Sequence, residues 1–267
     1  MAATCTDGSL RFFRKKGEGG GFVFEKKVEA HEGAALCLKC NMDGLSLATS
    51  GEDGTVKIWS KSGNLRTLLA SYNQPIYAIA WGGKDDESLL IAHGNKLTVL
   101  HTQIQEKVNE WEGQRKGHGV ILSLDWNKSN NLIISGGEDC CYRVFNELGV
   151  LLYVSSRCTG AITSLAWNPR GQAFAVGTFN MIILCNQHGR KCSREKLSQG
   201  TISVMEWDTD GTQLIGLCAS GNALVASLIG YTMEFGTVTA TLVDKNTITV
   251  TNHADEEHFV EDAHFKR

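Results

Sequence analysis

Five short segments of this chain end alike and return at one spacing, and that recurrence limits what the chain can fold into more than any other feature. They read LCLKCNMDG (36–44), YAIAWGGKD (77–85), LSLDWNKSN (122–130), TSLAWNPRG (163–171) and VMEWDTDG (204–211). Each is an apolar run closed by Cys40, Trp81, Trp126, Trp167 or Trp207, followed by a polar turn. Those closing residues lie 41, 45, 41 and 40 apart. A period near 40 residues is that of a four-stranded propeller blade.

The remainder of each unit fits. A second strand follows the turn, as in Leu45–Ser50, Leu132–Ser135 and Ala173–Gly177. A third covers Thr55–Trp59, Lys96–Leu100, Tyr142–Phe145 and Met181–Cys185, and a more polar fourth covers Leu65–Ala70, Lys107–Trp111 and Val150–Val154. These runs are rich in Val, Ile, Leu, Thr and aromatics, with turn signals every 8–12 residues or so. Helical spacing is present at Ile76/Ile79, Ile121/Leu124 and Ile162/Leu165, but the Gly and Asn punctuation leaves no room for helices of ordinary length. First strands lie between neighbours, so both faces are expected to be buried. Asp7–Phe13 matches Asp53–Trp59 at an offset of 46, so the chain is expected to start inside a blade. Thr237–Val243 is expected to be the fourth strand of the unit that begins near Ile202.

The expected architecture is therefore an all-β, incomplete propeller: one partial blade plus five of an expected seven. The units fall near 1–29, 30–71, 72–112, 113–155, 156–196 and 197–245 within a domain over 1–250. Residues 251–267 are left as an acidic tail or the start of a truncated further blade.

Composition removes several function classes. Net charge is −3, with no electrostatic footprint for nucleic acid. No apolar run reaches the length of a bilayer span, and the first residues lack the charged and apolar regions of a signal peptide. Of nine cysteines, only Cys37/Cys40 and Cys140/Cys141 are close pairs, without the second pair or histidines that a zinc site needs. An odd count argues against a disulfide framework. Most are expected to be small buried apolar residues.

One turn is written twice: SGEDGTVKIW (50–59) and SGGEDCCYRVF (135–145). With the AHEG element at 30–33, the first resembles the WD-repeat family. That resemblance implies a WD40-type propeller in which a His, a Ser or Thr, the turn Asp and a Trp are hydrogen-bonded in series, here His31, Thr49, Asp53 and Trp59. The chemistry is sound. Asp accepts from turn N–H groups, the imidazole bridges carboxylate to hydroxyl, and the hydroxyl accepts from the indole. The later unit keeps His118, Ser135 and Asp139 but has Phe145, which donates nothing. The units of Trp81 and Trp167 lack the turn Asp, reading HGN (93–95) and GTFN (177–180).

A His, a Thr and an Asp also make a nucleophilic triad, but here the hydroxyl is committed within a blade and no oxyanion hole is evident. The glycine-rich 17–21 lies in a hairpin loop rather than before a helix, so it is no phosphate cradle. Arg11, Arg14, Lys15, Lys16, Lys26 and Lys27 flank that loop and read as a solvated, charge-protected edge, with an acidic partner as the alternative. Asp255, Glu256, Glu257, Glu261 and Asp262 lack EF-hand spacing. No catalytic, cofactor-binding or metal-binding residue is expected.

The segments at 28–44, 51–70, 75–81, 121–153 and 161–179 extend the likeness beyond the repeat positions. They resemble the WD-repeat subunits of the intraflagellar transport B complex. The resemblance implies a non-enzymatic scaffold for cilium assembly and ciliary cargo transport. It also implies partners among the other B-complex subunits, one bearing a calponin-homology domain, and residence at the cilium, the ciliary base or basal body, and the cytoplasm. Nucleic acid, membrane insertion and a small-molecule substrate are not implied. The competing reading is a cytoplasmic WD-repeat adaptor or coat-like scaffold unrelated to cilia.

Overall fold

The computed structural model describes all residues except 18–19, 84–85, 115–118, 228–231, 236–237, 243–246, 253–256 and 263–267. Among the described residues every regular element is a strand. Strand order follows chain order in each sheet, so every unit is an antiparallel meander.

The first sheet has three strands, β1 (Ala2–Thr4), β2 (Ser9–Lys15) and β3 (Phe22–Glu29). Its Thr4↔Leu10 pair repeats the Ser50↔Val56 pair of the next sheet, so β1–β3 stand where second, third and fourth strands stand elsewhere. Three four-stranded sheets follow. They are β4 (Ala35–Cys40), β5 (Ser46–Gly51), β6 (Thr55–Ser60) and β7 (Leu65–Ser71); then β8 (Ala78–Gly82), β9 (Ser88–His93), β10 (Lys96–His101) and β11 (Lys107–Glu112); then β12 (Ile121–Trp126), β13 (Ile133–Gly137), β14 (Tyr142–Phe145) and β15 (Leu151–Val154).

The next sheet holds β16 (Ser164–Trp167), β17 (Ala173–Asn186), β18 (Lys191–Trp207), β19 (Gln213–Cys218) and β20 (Ala223–Ser227). Two of these are long because each runs through two strand positions. β17 pairs first with β16 and then with β18, and the second half of β18 turns to β19. This sheet therefore carries one unit and the beginning of another.

Sheets stack through apolar layers, which is what makes the arrangement a propeller. Leu10 and Phe12 of the first sheet pack with Leu47 and Trp59 of the second. Val56 and Ile58 meet Ile79, Trp81 and Leu89, and Leu97 and Val99 meet Leu124 and Trp126. Val144 and Tyr142 meet Trp167 and Phe174, and Ala175 and Ile182 meet Ile202 and Leu214. Each layer buries several large side chains at roughly 1.5–3 kcal/mol apiece, so stability is shared among neighbours.

Three expectations are corrected. Val238–Leu242 is not the fourth strand of the unit at Ile202. It is β22 of a separate sheet with β21 (Thr232–Phe235), β23 (Thr247–Asn252) and β24 (Glu257–Asp262). Of the two alternatives for 251–267, Glu257–Asp262 forms a strand, as a further blade would, with His258, Phe259 and Val260 interrupting the charges. First strands are not buried throughout: β8 and β16 are, but β4 and β12 are half-buried. Their Leu36, Leu38 and Leu122 line a central cavity of about 720 Å³. Finally, only Cys185 and Cys218 are buried, while Cys40 and Cys192 are exposed. Cys40 closes its strand, and Cys192 lies on the exposed stretch of β18.

Candidate functional site

The turn between β5 and β6 needs a residue at positive φ, and Gly54 supplies it at 71°. A side chain there would also lie 2.0 Å from the Tyr72 carbonyl oxygen, so glycine is required twice over. The preceding Asp53 accepts the Thr55 N–H at 3.0 Å and the Thr55 hydroxyl at 2.8 Å. It also accepts the Glu32 N–H at 3.1 Å.

This ordered carboxylate receives Nδ1–H of His31 at 3.0 Å. Nε2 of the same ring then accepts the Thr49 hydroxyl at 2.8 Å, and that oxygen accepts the Trp59 indole N–H at 2.9 Å. The four side chains come from the loop before β4, from β5, from the turn and from β6. Thr49 is fully buried, and Trp59 and His31 are 3% and 7% exposed. Burial pushes the His31 imidazole below its ordinary range, against the opposing pull of Asp53. Burial also raises the Asp53 carboxyl, but the bonds from Thr55, His31 and Glu32 outweigh it and hold the group low. A neutral ring beside an ionised Asp is the state in which every donor meets an acceptor.

The second copy of the turn is wired differently. His118 lies outside the described residues. Ser135 donates to the Gly113 carbonyl at 3.2 Å, and Phe145, in the place of Trp59, offers it no N–H. Asp139 accepts the Cys141 N–H at 3.1 Å and pairs with Arg143 at 2.6 Å, both side chains being at most 10% exposed. The Asp7 turn does the same with Arg11 at 2.8 Å. Where the residue four beyond the turn Asp is Arg, it takes the carboxylate. In the 50–59 unit it is Lys57, which goes to the Ala30 carbonyl at 2.5 Å and leaves Asp53 to His31.

Lys39 and Glu206 line the central cavity, with Asp125 near Lys39, and the repeat alignment alone did not single these charges out. Lys39, Asp125 and Glu206 each precede the closing residue of a first strand, and their common register was the available signal. Lys39 reaches Glu206 across the ring at 3.5 Å. Asp125 accepts the N–H groups of Trp126 at 2.9 Å and Trp167 at 2.7 Å, and burial pushes its carboxyl up. Burial opposes the Lys39 charge, but the acids around it hold the ammonium above its ordinary range.

Further links join successive units. Trp81 and Trp207 donate to the Lys39 and Ala166 carbonyls, both at 3.0 Å. Asn127 donates to Asn168 O at 2.9 Å, and Asn168 to Gly211 O at 2.8 Å. Among the described residues, no group of three or more His, Cys, Asp or Glu is placed to hold a metal ion. The arrangement as a whole is a set of clamps within and between blades, surrounding a central channel of mixed lining.

A family model for the WD domain, G-beta repeat, matches residues 22–60 and 109–146. The intraflagellar transport protein 80 homolog of Mus musculus is 41% identical over 250 residues, covering 93% of this chain and 31% of the relative. The same figures hold for the homolog of Rattus norvegicus. The F-box-like/WD repeat-containing protein TBL1X of Mus musculus is 31% identical over 140 residues, half of this chain and a quarter of the relative. The chain spans about a third of the length of the first two relatives.

Proposed function

We propose, from the premise that the chain is a WD-repeat β-propeller of the kind carried by intraflagellar transport protein 80, that it is a non-enzymatic protein-interaction scaffold of an intraflagellar transport B-type complex. The observation that carries the reading is 41% identity sustained over 93% of this chain. A likeness confined to the repeat signature would leave the adaptor reading level with it, but the match to TBL1X stops at half the chain.

On this reading the partners are other subunits of that complex, with a calponin-homology-domain subunit as the one to test first. The places of work are the cilium, its basal body and the surrounding cytoplasm. The His31–Thr49–Asp53–Trp59 series is a structural clamp in this role: its hydroxyl is sealed between an imidazole and an indole and serves rigidity. Rigid blades with variable rims suit a docking platform.

The test is to express the tagged chain in ciliated cells, image it, and recover its partners. Enrichment at basal bodies or along cilia, with B-complex subunits co-purifying in proportion, is the expected result. Exclusion from both places, with a cytoplasmic adaptor's partners recovered instead, would replace this reading with the non-ciliary one.

A further inference from the structure

The β2–β3 hairpin has a feature that the repeat architecture does not require. Residues 11–27 carry six cations against two acids, Glu18 and Glu25, in a chain whose net charge is −3. β3 is the outermost strand of its sheet, and seven of its eight residues are exposed. Phe22, Val23 and Phe24 are 55%, 47% and 56% exposed. Solvation explains exposed lysines. It does not explain two adjacent-turn phenylalanines held out in water on a sheet edge.

The hydrogen bonds show which backbone groups are free. The Phe13 N–H donates to Met1 O at 2.8 Å, so Phe13 faces β1 and its neighbour Arg14 faces β3. The Lys16 N–H donates to Gly21 O at 3.0 Å. Alternation then turns Val23 inward and points the backbone N–H and C=O groups of Phe22 and Phe24 away from the sheet. Register places Lys15 beside Phe22 and Phe13 beside Phe24 on one face, with the two phenyl rings 6.0 Å apart. Arg14 beside Val23 lies on the other face with Lys16, and Arg14, Lys15, Lys16, Gly17 and Val23 line a cavity of about 470 Å³ at this end of the hairpin.

The remaining cations are engaged. Lys26 donates to the Ser62 and Gly63 carbonyls of the next sheet at 3.1 and 3.3 Å, and Lys27 pairs with Glu29 at 2.8 Å. They hold the edge in place. Among the described residues, Arg14, Lys15 and Lys16 form no ion pair. Among the other outer strands whose side chains are described, β15 is exposed and apolar but has only four residues and no cation, β11 mixes both signs, and β7 exposes Leu65 and Leu68 beside a single cation, Arg66.

We infer that β3 is a docking edge for an extended acidic segment of another protein, one in which carboxylates alternate with apolar residues. The segment adds a strand by pairing with the free groups of Phe22 and Phe24. Its apolar residues cover the phenyl face, its carboxylates lie over the face of Arg14 and Lys16, and Lys15, at the end of the phenyl face beside Phe22, takes a carboxylate at the segment's end. Long cationic side chains span the roughly 10 Å from β2 across β3 to an added strand. Strand addition supplies affinity through the backbone, and the alternation supplies specificity. Three free cations are too few for a nucleic-acid track, which engages many phosphates. The inference does not depend on the ciliary assignment.

The test is fluorescence anisotropy on the whole chain with a fluorescein-labelled octapeptide in which Glu alternates with Val and Phe. Saturable binding is expected. It should weaken about tenfold in R14A/K15A/K16A, the summed effect of three solvent-screened pairs, and fall further in the charge-reversed triple variant. The same peptide with Gln for Glu, or N-methylated at alternate amides to block strand pairing, should bind at least as poorly. The two altered peptides are read on the unmodified chain, so the result does not depend on the variants folding. No saturable binding, binding indifferent to N-methylation, or capture of phosphatidylserine vesicles or polyuridine in place of the peptide would overturn the inference.

Discussion

Replacing Thr49 with Val isolates the contribution of the buried series. The two side chains have nearly the same shape, and both suit a strand, so neither a cavity nor propensity confuses the result. The substitution leaves the Trp59 indole N–H and His31 Nε2 without a partner, at sites only 3% and 7% exposed. An unsatisfied buried group costs about 1–3 kcal/mol, so the pair should cost about 2–6 kcal/mol. That is a large part of the 5–15 kcal/mol or so that holds a typical domain. Thr49→Ser keeps the hydroxyl, loses one methyl, and should cost only about 1 kcal/mol. Urea unfolding followed by tryptophan fluorescence and far-ultraviolet circular dichroism gives both values, provided the slope is unchanged. Adding Trp59→Phe removes the stranded donor, so the Val substitution should then cost about 1 kcal/mol less. A Thr49→Val loss no larger than that of Thr49→Ser, or a cycle with no coupling, would refute the assignment of stability to this series.

The two other expectations concern the turn and the imidazole. Cys140 occupies the place of Gly54 at φ 63°, a left-handed conformation that costs a residue with a side chain about 1 kcal/mol. Cys140→Gly should therefore raise stability by up to about 1 kcal/mol, partly offset by the freer unfolded chain, whereas Cys140→Ala should not; equal midpoints for the two variants would contradict this. His31 is held below its ordinary range of about 6.5 by burial, so the folded chain binds fewer protons there than the unfolded one. Its contribution is then full above pH 6.5 or so and is lost as pH falls toward its folded value. The loss of stability between pH 7 and 5 should shrink in His31→Gln, with an NMR titration locating the ring below 6.5; an unchanged pH slope would count against it.

Much of the fold was readable because propeller information is local. Closing residues 40–45 apart, alternating strand patterns and Gly–Asp turns each specify a hairpin, and a hairpin joined to its copy can only stack. The members of the Thr49 series were legible through the resemblance to WD repeats; in the fold Thr49 on β5 pairs with Lys57 and lies one diagonal step from Trp59 on the same face.

The partner of each buried polar group was not local. Ser135 and Asp139 stand 86 positions from Thr49 and Asp53, yet one turns to Gly113 and the other to Arg143. Which partner lies within reach depends on a Phe in place of a Trp and an Arg in place of a Lys. The same holds for Lys39, Asp125 and Glu206, brought near one another by the curvature of the ring, and for Val238–Leu242, whose strand character was plain but whose sheet was not. Hydrophobic period and turn chemistry act over a few residues, so the chain alone told where the blade strands up to Trp207 lie and how each meets its chain neighbour. Only the tertiary structure decided which charges and hydroxyls satisfy one another, because that depends on distances between residues that the chain order leaves far apart.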